Sequence, residues 1–156
     1  MPRWWYASLL ALALSACGAE PDTTIDITFD PCEPIAVAMP ADELRAAGVR
    51  AAFASWGMEP SATGAQGAEI RLVFEDAAEA FHGLYDDENA VIYINAKITD
   101  PVPLAIVIAH ELGHAMGLPH IDEPSVMRSG NVTIAPTADD EARIAALWGA
   151  CERERP

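Results

Sequence analysis

His110-Glu111-Leu112-Gly113-His114-Ala115-Met116-Gly117-Leu118-Pro119-His120 is the stretch on which the reading of this chain turns. Residues four apart on an α-helix stand about one turn above each other, so the imidazoles of His110 and His114 can meet one cation at about 2.0–2.1 Å per bond. Glu111 projects about 100° round the helix, beside the ion rather than onto it, where it can hold and deprotonate a water. A third ligand at the same pitch would lie too far along the axis, so the chain must turn back. Gly117 supplies the permissive backbone for that turn and Pro119 stops the helix from resuming, which brings His120 to the third position. Three protein nitrogens with a fourth position open is the catalytic rather than the structural zinc arrangement. A lone histidine is usually a hydrogen-bonded core or surface residue. Here three of the chain's four histidines fall into one spacing, and five fixed residues at that spacing arise by chance on the order of once in 10⁵ such chains.

The flanking sequence supports a helix for this motif. From Pro101 the pattern changes period, and Leu104 to Met116 is almost continuously apolar between its polar members, as in a buried helix. Downstream, Thr137-Ala138-Asp139-Asp140-Glu141 offers a hydroxyl cap and carboxylates in the first turn of a last helix, which runs to Leu147 or Trp148 and stops at Gly149. Upstream, Ala41 to Trp56 places Leu44, Val49, Ala52, Phe53 and Trp56 on one helical face, and Gly57 ends it. Strand-like runs are Ile25–Phe29, Ile35–Met39, Glu69–Glu75, His82–Tyr85 and Ala90–Asn95, with a Pro, Ser, Gly and Ala loop over Glu59–Ala68. Together they predict an α+β domain: a twisted mixed β-sheet with a long active-site helix, a packing helix and a C-terminal helix.

The zinc segment resembles the extended motif of the metzincin metallopeptidases. Those proteins carry a methionine-containing turn shortly after the third histidine, and Ser125-Val126-Met127 occupies that place. The resemblance implies His110, His114 and His120 as ligands, Glu111 as general base, Gly117 as the turn and Met127 as the apolar floor of the site. Ala138 to Gly149 is similar to the final helix of the matrixin branch, with its paired aspartates and its ending in Leu, an aromatic and Gly. Asp139 and Asp140 are then expected to cap that helix and support the Met127 turn. The chain departs from matrixins in having Ile121 and Asp122 after the third histidine, and in lacking their histidine-rich loop for a structural zinc. His82 stands alone and reads as an exposed or edge-strand residue. Calcium at Asp86, Asp87 and Glu88 is no better supported than a solvated acidic turn.

With 156 residues, the chain has room for one domain and its appendages. Hydrophobic types make up 51% and charged types 21%, a globular balance. The net charge of -15 excludes polyphosphate partners, so no nucleic-acid binding is expected. Residues 1–16 carry a single charge at Arg3 and an apolar run too short to span a bilayer, which is a secretion signal. It closes on Leu14-Ser15-Ala16-Cys17, which resembles the lipobox of bacterial lipoproteins and implies lipidation of Cys17. Residues 17–24 then form a short tether and 25–156 the zinc metallopeptidase domain. Gly18 in place of Asp implies the outer rather than the inner membrane of a bacterial envelope. If Cys17 is lipidated, Cys32 and Cys151 remain as an even pair in a disulfide-permissive compartment. The rival role for Cys32, a latency thiolate on the metal, lacks a matching motif around it.

The resulting expectation is a monomeric, membrane-anchored zinc endopeptidase. Its peptide substrate would pair antiparallel with the edge strand near His82–Tyr85. The alternative is a non-catalytic zinc-binding lipoprotein that holds a ligand or metal. Glu111 argues against that, because a binding site gains nothing from a base beside an open coordination position.

Overall fold

The computed structural model describes residues 25–64 and 68–151. The helix that bears the zinc motif, α2 (Pro101–Ala115), lies against β3 (Gly83–Asp86), β4 (Val91–Asn95) and α1 (Glu43–Ser55). A helix covered on several sides cannot be amphipathic, and Leu104, Ile106, Val107, Ile108, Ala109 and Leu112 are all buried, which explains its nearly continuous apolar sequence. Asp100 caps its start by accepting from Val102 N at 3.0 Å. Its end is a Schellman turn: Leu118 N donates to Gly113 O at 2.9 Å and Gly117 N to His114 O at 2.8 Å, with Gly117 at φ 94°.

The sheet has the order β1 (Ile35–Val37), β2 (Ala68–Glu75), β4, β3. β1, β2 and β4 run parallel, and β3 pairs antiparallel with β4 at one edge in the register Gly83↔Ile94 to Asp86↔Val91. The mixed sheet and three helices make an α+β fold of the metzincin-like kind expected. α1 starts at Asp42, whose carboxylate accepts from Arg45 N, and buries Val49, Ala52 and Phe53, the face anticipated from sequence. α1 and α2 approach closely at Gly48, where a Cβ would lie 3.0 Å from Leu104. α3 (Ala138–Trp148) follows the capping box formed by Thr137 and Asp140.

Two expectations need correction. Ile25–Phe29 is not a strand. Its main chain is engaged by other partners: Phe29 N donates to Ala115 O at 2.8 Å, the Tyr85 hydroxyl donates to Ile27 O at 2.8 Å, and Asp26 N donates to the Asp87 carboxylate at 2.8 Å. The segment is a strap from β3 to the end of α2, and its alternating pattern records single contacts rather than a ladder. The strand expected over Ile35–Met39 is confined to Ile35–Val37, all three buried; Met39 is 40% exposed and Pro40 follows.

Cys32 and Cys151 form a disulfide with Cα atoms 5.1 Å apart, which closes a loop with a sequence separation of 119. It ties the strap's continuation to the end of α3. Residues 1–24, with the expected signal, Cys17 and tether, lie outside the described residues. Among the described residues, no helix is long and apolar enough to cross a membrane.

Candidate metal centre and active site

His110 and His114 leave α2 one turn apart, and the Schellman turn at Gly117 carries the chain back so that His120 faces them. The three Nε2 atoms form a triangle with sides of 3.2 Å (His110 to His114), 3.1 Å (His110 to His120) and 3.1 Å (His114 to His120). His110 Nδ1 lies 2.6 Å from Val126 O, and His114 Nδ1 lies 2.8 Å from Leu118 O. A carbonyl only accepts, so each Nδ1 carries the proton and donates it, which leaves both Nε2 atoms as bare lone pairs. Lone pairs aimed at a common point repel unless a cation sits between them. Tetrahedral coordination at about 2.0–2.1 Å puts ligand nitrogens about 3.3–3.4 Å apart, close to the observed triangle. The donor set therefore fits zinc. Among the described residues, these three form the one group of metal-donor side chains close enough to share an ion.

Burial sets the protonation of the site. It drives the His114 pKa down to about 4, helped by the neighbouring His110, and it lowers that of His110 against the opposing hydrogen bond that His110 donates to Val126 O. Both rings are thus neutral, as metal ligands must be, throughout the neutral range. Glu111 is 4% exposed. Burial raises its pKa to about 8, with the Tyr85 backbone N–H pulling the other way. Its carboxyl lies against β3 where Gly83 has no side chain: a Cβ there would sit 2.8 Å from Glu111 Oε1 and 3.0 Å from Val107. Gly83 was legible only as a glycine in a strand, a sign of close approach by a neighbour.

Met127 is 1% exposed and packs against α2 at Gly113. It can lie there because residue 113 is glycine; a Cβ at that position would overlap the Met127 sulfur. The turn around it is held from α3. Asp140, fully buried, accepts from Ser125 Oγ, from Val126 N at 3.3 Å, and from Thr137 N and Oγ1 at 2.9 and 2.8 Å, while Ser125 Oγ accepts from Met127 N at 2.8 Å. Burial alone would raise the Asp140 pKa, but these donors outweigh it and hold the carboxyl below its ordinary value. Val126 is also the residue whose carbonyl fixes His110, so Asp140 reaches the first histidine through two hydrogen bonds. Asp139 does not share this work: it is exposed in the first turn of α3.

A cavity of about 450 Å³ opens over the triad, with Glu111 and the free side of β3 along one flank and Ser129, Gly130 and Asn131 on its lining. His82, expected as an exposed or edge-strand residue, stands just before the edge strand β3, half-buried, and lines this cavity. The loop that delivers it is held by Asn95 at the end of β4. That amide, 2% exposed, donates to Ala78 O at 3.1 Å and Phe81 O at 2.8 Å. Asn95 was not singled out from sequence, since an asparagine at a strand end usually reads as a turn residue. Asp86 and Asp87 are occupied as turn partners: Asn89 donates to Asp86 through both its backbone and its amide, and Asp26 N donates to Asp87.

The three-histidine site, on an α+β frame of this topology, is a donor set that could hold a metal ion, with a buried carboxyl beside it. The matrixin family model, peptidase M10, matches residues 76–149, the span from the end of β2 through α3. No curated protein matches the chain. The family match and the three-histidine site together support a zinc metallopeptidase.

Proposed function

We propose that the chain is a zinc-dependent endopeptidase with residues 25–156 as its catalytic domain, anchored to a bacterial envelope membrane by lipid on Cys17. The observation that carries the catalytic reading is the convergence of three imidazole Nε2 atoms within 3.2 Å, in one cavity with a buried glutamate. Zinc held by His110, His114 and His120 would polarise the scissile carbonyl and make a water acidic enough to attack near neutral pH. Glu111, whose carboxyl pKa burial holds above the usual range, would be returned to the carboxylate by a cation beside it, and would then accept the proton of the attacking water and pass it to the nitrogen of the leaving amine, ending the cycle as it began. Val126 O and Leu118 O keep two of the rings in the tautomer that offers Nε2. β3 is the substrate rail. Asn95 N donates to His82 O at 2.9 Å, so in the alternation of an antiparallel pair Gly83 turns its main-chain groups to the open edge and Tyr85 its carbonyl, the Tyr85 N–H being engaged by Glu111. A peptide added there bonds through its backbone, which accepts many sequences.

The lipid anchor rests on the likeness of Leu14–Cys17 to a lipobox, and the bond between Cys32 and Cys151 is in keeping with an oxidising envelope compartment. Several acyl chains at about 0.8 kcal/mol per buried methylene would hold the protein without a membrane-spanning helix. Digestion of unfolded casein by the full chain, with and without a chelator, tests the activity: chelator-sensitive cleavage is expected, and no cleavage by protein of full zinc content would leave the binding-lipoprotein reading in its place. Incorporation of labelled palmitate in the wild type but not in Cys17→Ser tests the anchor.

A further inference from the structure

His82 is the one histidine that the metal site does not use. Its ring nitrogens are not among those that cluster with His110, His114 and His120. The residue nevertheless lines the same cavity, with its side chain close enough to His110 to bear on that residue's charge. Among the described residues its side chain has no hydrogen-bond partner, although its backbone is fixed: His82 O accepts from Asn95 N, and the Asn95 amide holds Phe81 O. A histidine outside the ligand cluster, on the lining of the cavity over it, is positioned to touch whatever the ion binds.

Direction follows from the strand. β3 runs from Gly83 to Asp86, and Glu111 sits against Gly83. A peptide laid antiparallel on the open edge has its amino-terminal part toward Asp86 and its carboxy-terminal part toward His82. The cleaved bond lies beside Glu111, so His82 faces the residues that leave with the new amino terminus. We propose that His82 is a substrate-contacting residue that donates a ring hydrogen bond to the peptide main chain just beyond the cleaved bond. This rests on the peptidase reading and adds to it a group that grips the departing half of the substrate.

The test uses the zinc-loaded full chain and its His82→Ala and His82→Gln variants, with zinc content and thermal unfolding as controls. One readout is cleavage of a fluorogenic peptide of about eight residues; the other is binding of its two labelled cleavage products by fluorescence anisotropy. One lost hydrogen bond corresponds to about tenfold in binding. In His82→Ala, KM is expected to rise about tenfold with kcat within about threefold, and the carboxy-terminal product to bind about tenfold more weakly while the amino-terminal product is unaffected. His82→Gln, which keeps an N–H donor, should recover most of the loss. Equal weakening of both products, a loss confined to kcat, a glutamine variant as impaired as alanine, or no change at all would each overturn the proposal. Failure of the wild type to cleave any peptide would instead remove the peptidase reading, and this inference with it.

Discussion

The two flanks of the cavity are built in opposite ways. On the metal flank, the ligands lie within eleven consecutive residues, His110 to His120, and their positions follow from helix pitch and one Schellman turn. On the β3 flank, the site depends on partners distant in sequence: Gly83 opens room for Glu111, Asn95 holds the loop before His82, and Tyr85 fastens the Ile25–Phe29 strap. Local geometry fixes the three histidines, and long-range packing fixes what lies across the cavity from them. Substitutions on the two flanks should therefore fail differently: the first group loses metal or chemistry, the second loses substrate affinity with the metal intact.

The largest expected effect separates chemistry from metal binding. Glu111→Gln should keep one zinc per chain and lower kcat on a peptide by at least about 10³-fold, within the range for removing a general base. Substantial turnover by this variant would remove Glu111 from its role. Gly113→Ala comes next. The new methyl competes with the Met127 sulfur, and overpacking of this kind costs about 1–3 kcal/mol, so thermal unfolding and zinc retention should both decline.

Asp140 offers a prediction in pH. Its folded pKa is depressed below the ordinary 3.8, so its stabilising contribution is present in full above that value and is lost as pH falls through the folded pKa. Asp140→Asn should lower the melting temperature at pH 7, and the gap from wild type should narrow as the pH drops below about 4. A constant gap would mean that the carboxylate's charge is not what holds the Met127 turn. On the other flank, Asn95→Ala frees Ala78 O and Phe81 O and should loosen the loop before β3. We expect KM to rise about three- to tenfold with zinc content unchanged, since an unmade hydrogen bond of this kind is worth about 1 kcal/mol. Loss of zinc in that variant would show that the two flanks are not separable.

This division also explains what could be read from sequence. The α2 and α3 helices, the ligand spacing, the turn at Gly117 and the capping role of Asp140 are set by periodicity and caps within a few residues, and they were legible. The strap was misread because Ile25, Ile27 and Phe29 alternate as a strand does, while the bonds that fix them come from Tyr85, Asp87 and Ala115, far along the chain. The edge strand beside His82 was legible too, but nothing near it in sequence signals that this edge faces α2 and puts His82 on the cavity over the triad. Asp139 and Asp140 looked equivalent as neighbours, and only the position of Ser125 and Val126 in space distinguishes the buried one. Gly83 and Gly113 carried a weak signal as glycines inside regular elements, but what fills the space beside them is a tertiary fact.

The central claim is that three imidazoles share one divalent ion. X-ray absorption at the zinc edge of the purified full chain tests it most directly, alongside metal analysis of the wild type and His114→Ala. The account predicts one zinc per chain with three nitrogen neighbours at about 2.0–2.1 Å, and loss of that metal in the variant. Metal-free wild-type protein after zinc supplementation, or zinc retained with a sulfur or all-oxygen shell, would contradict it.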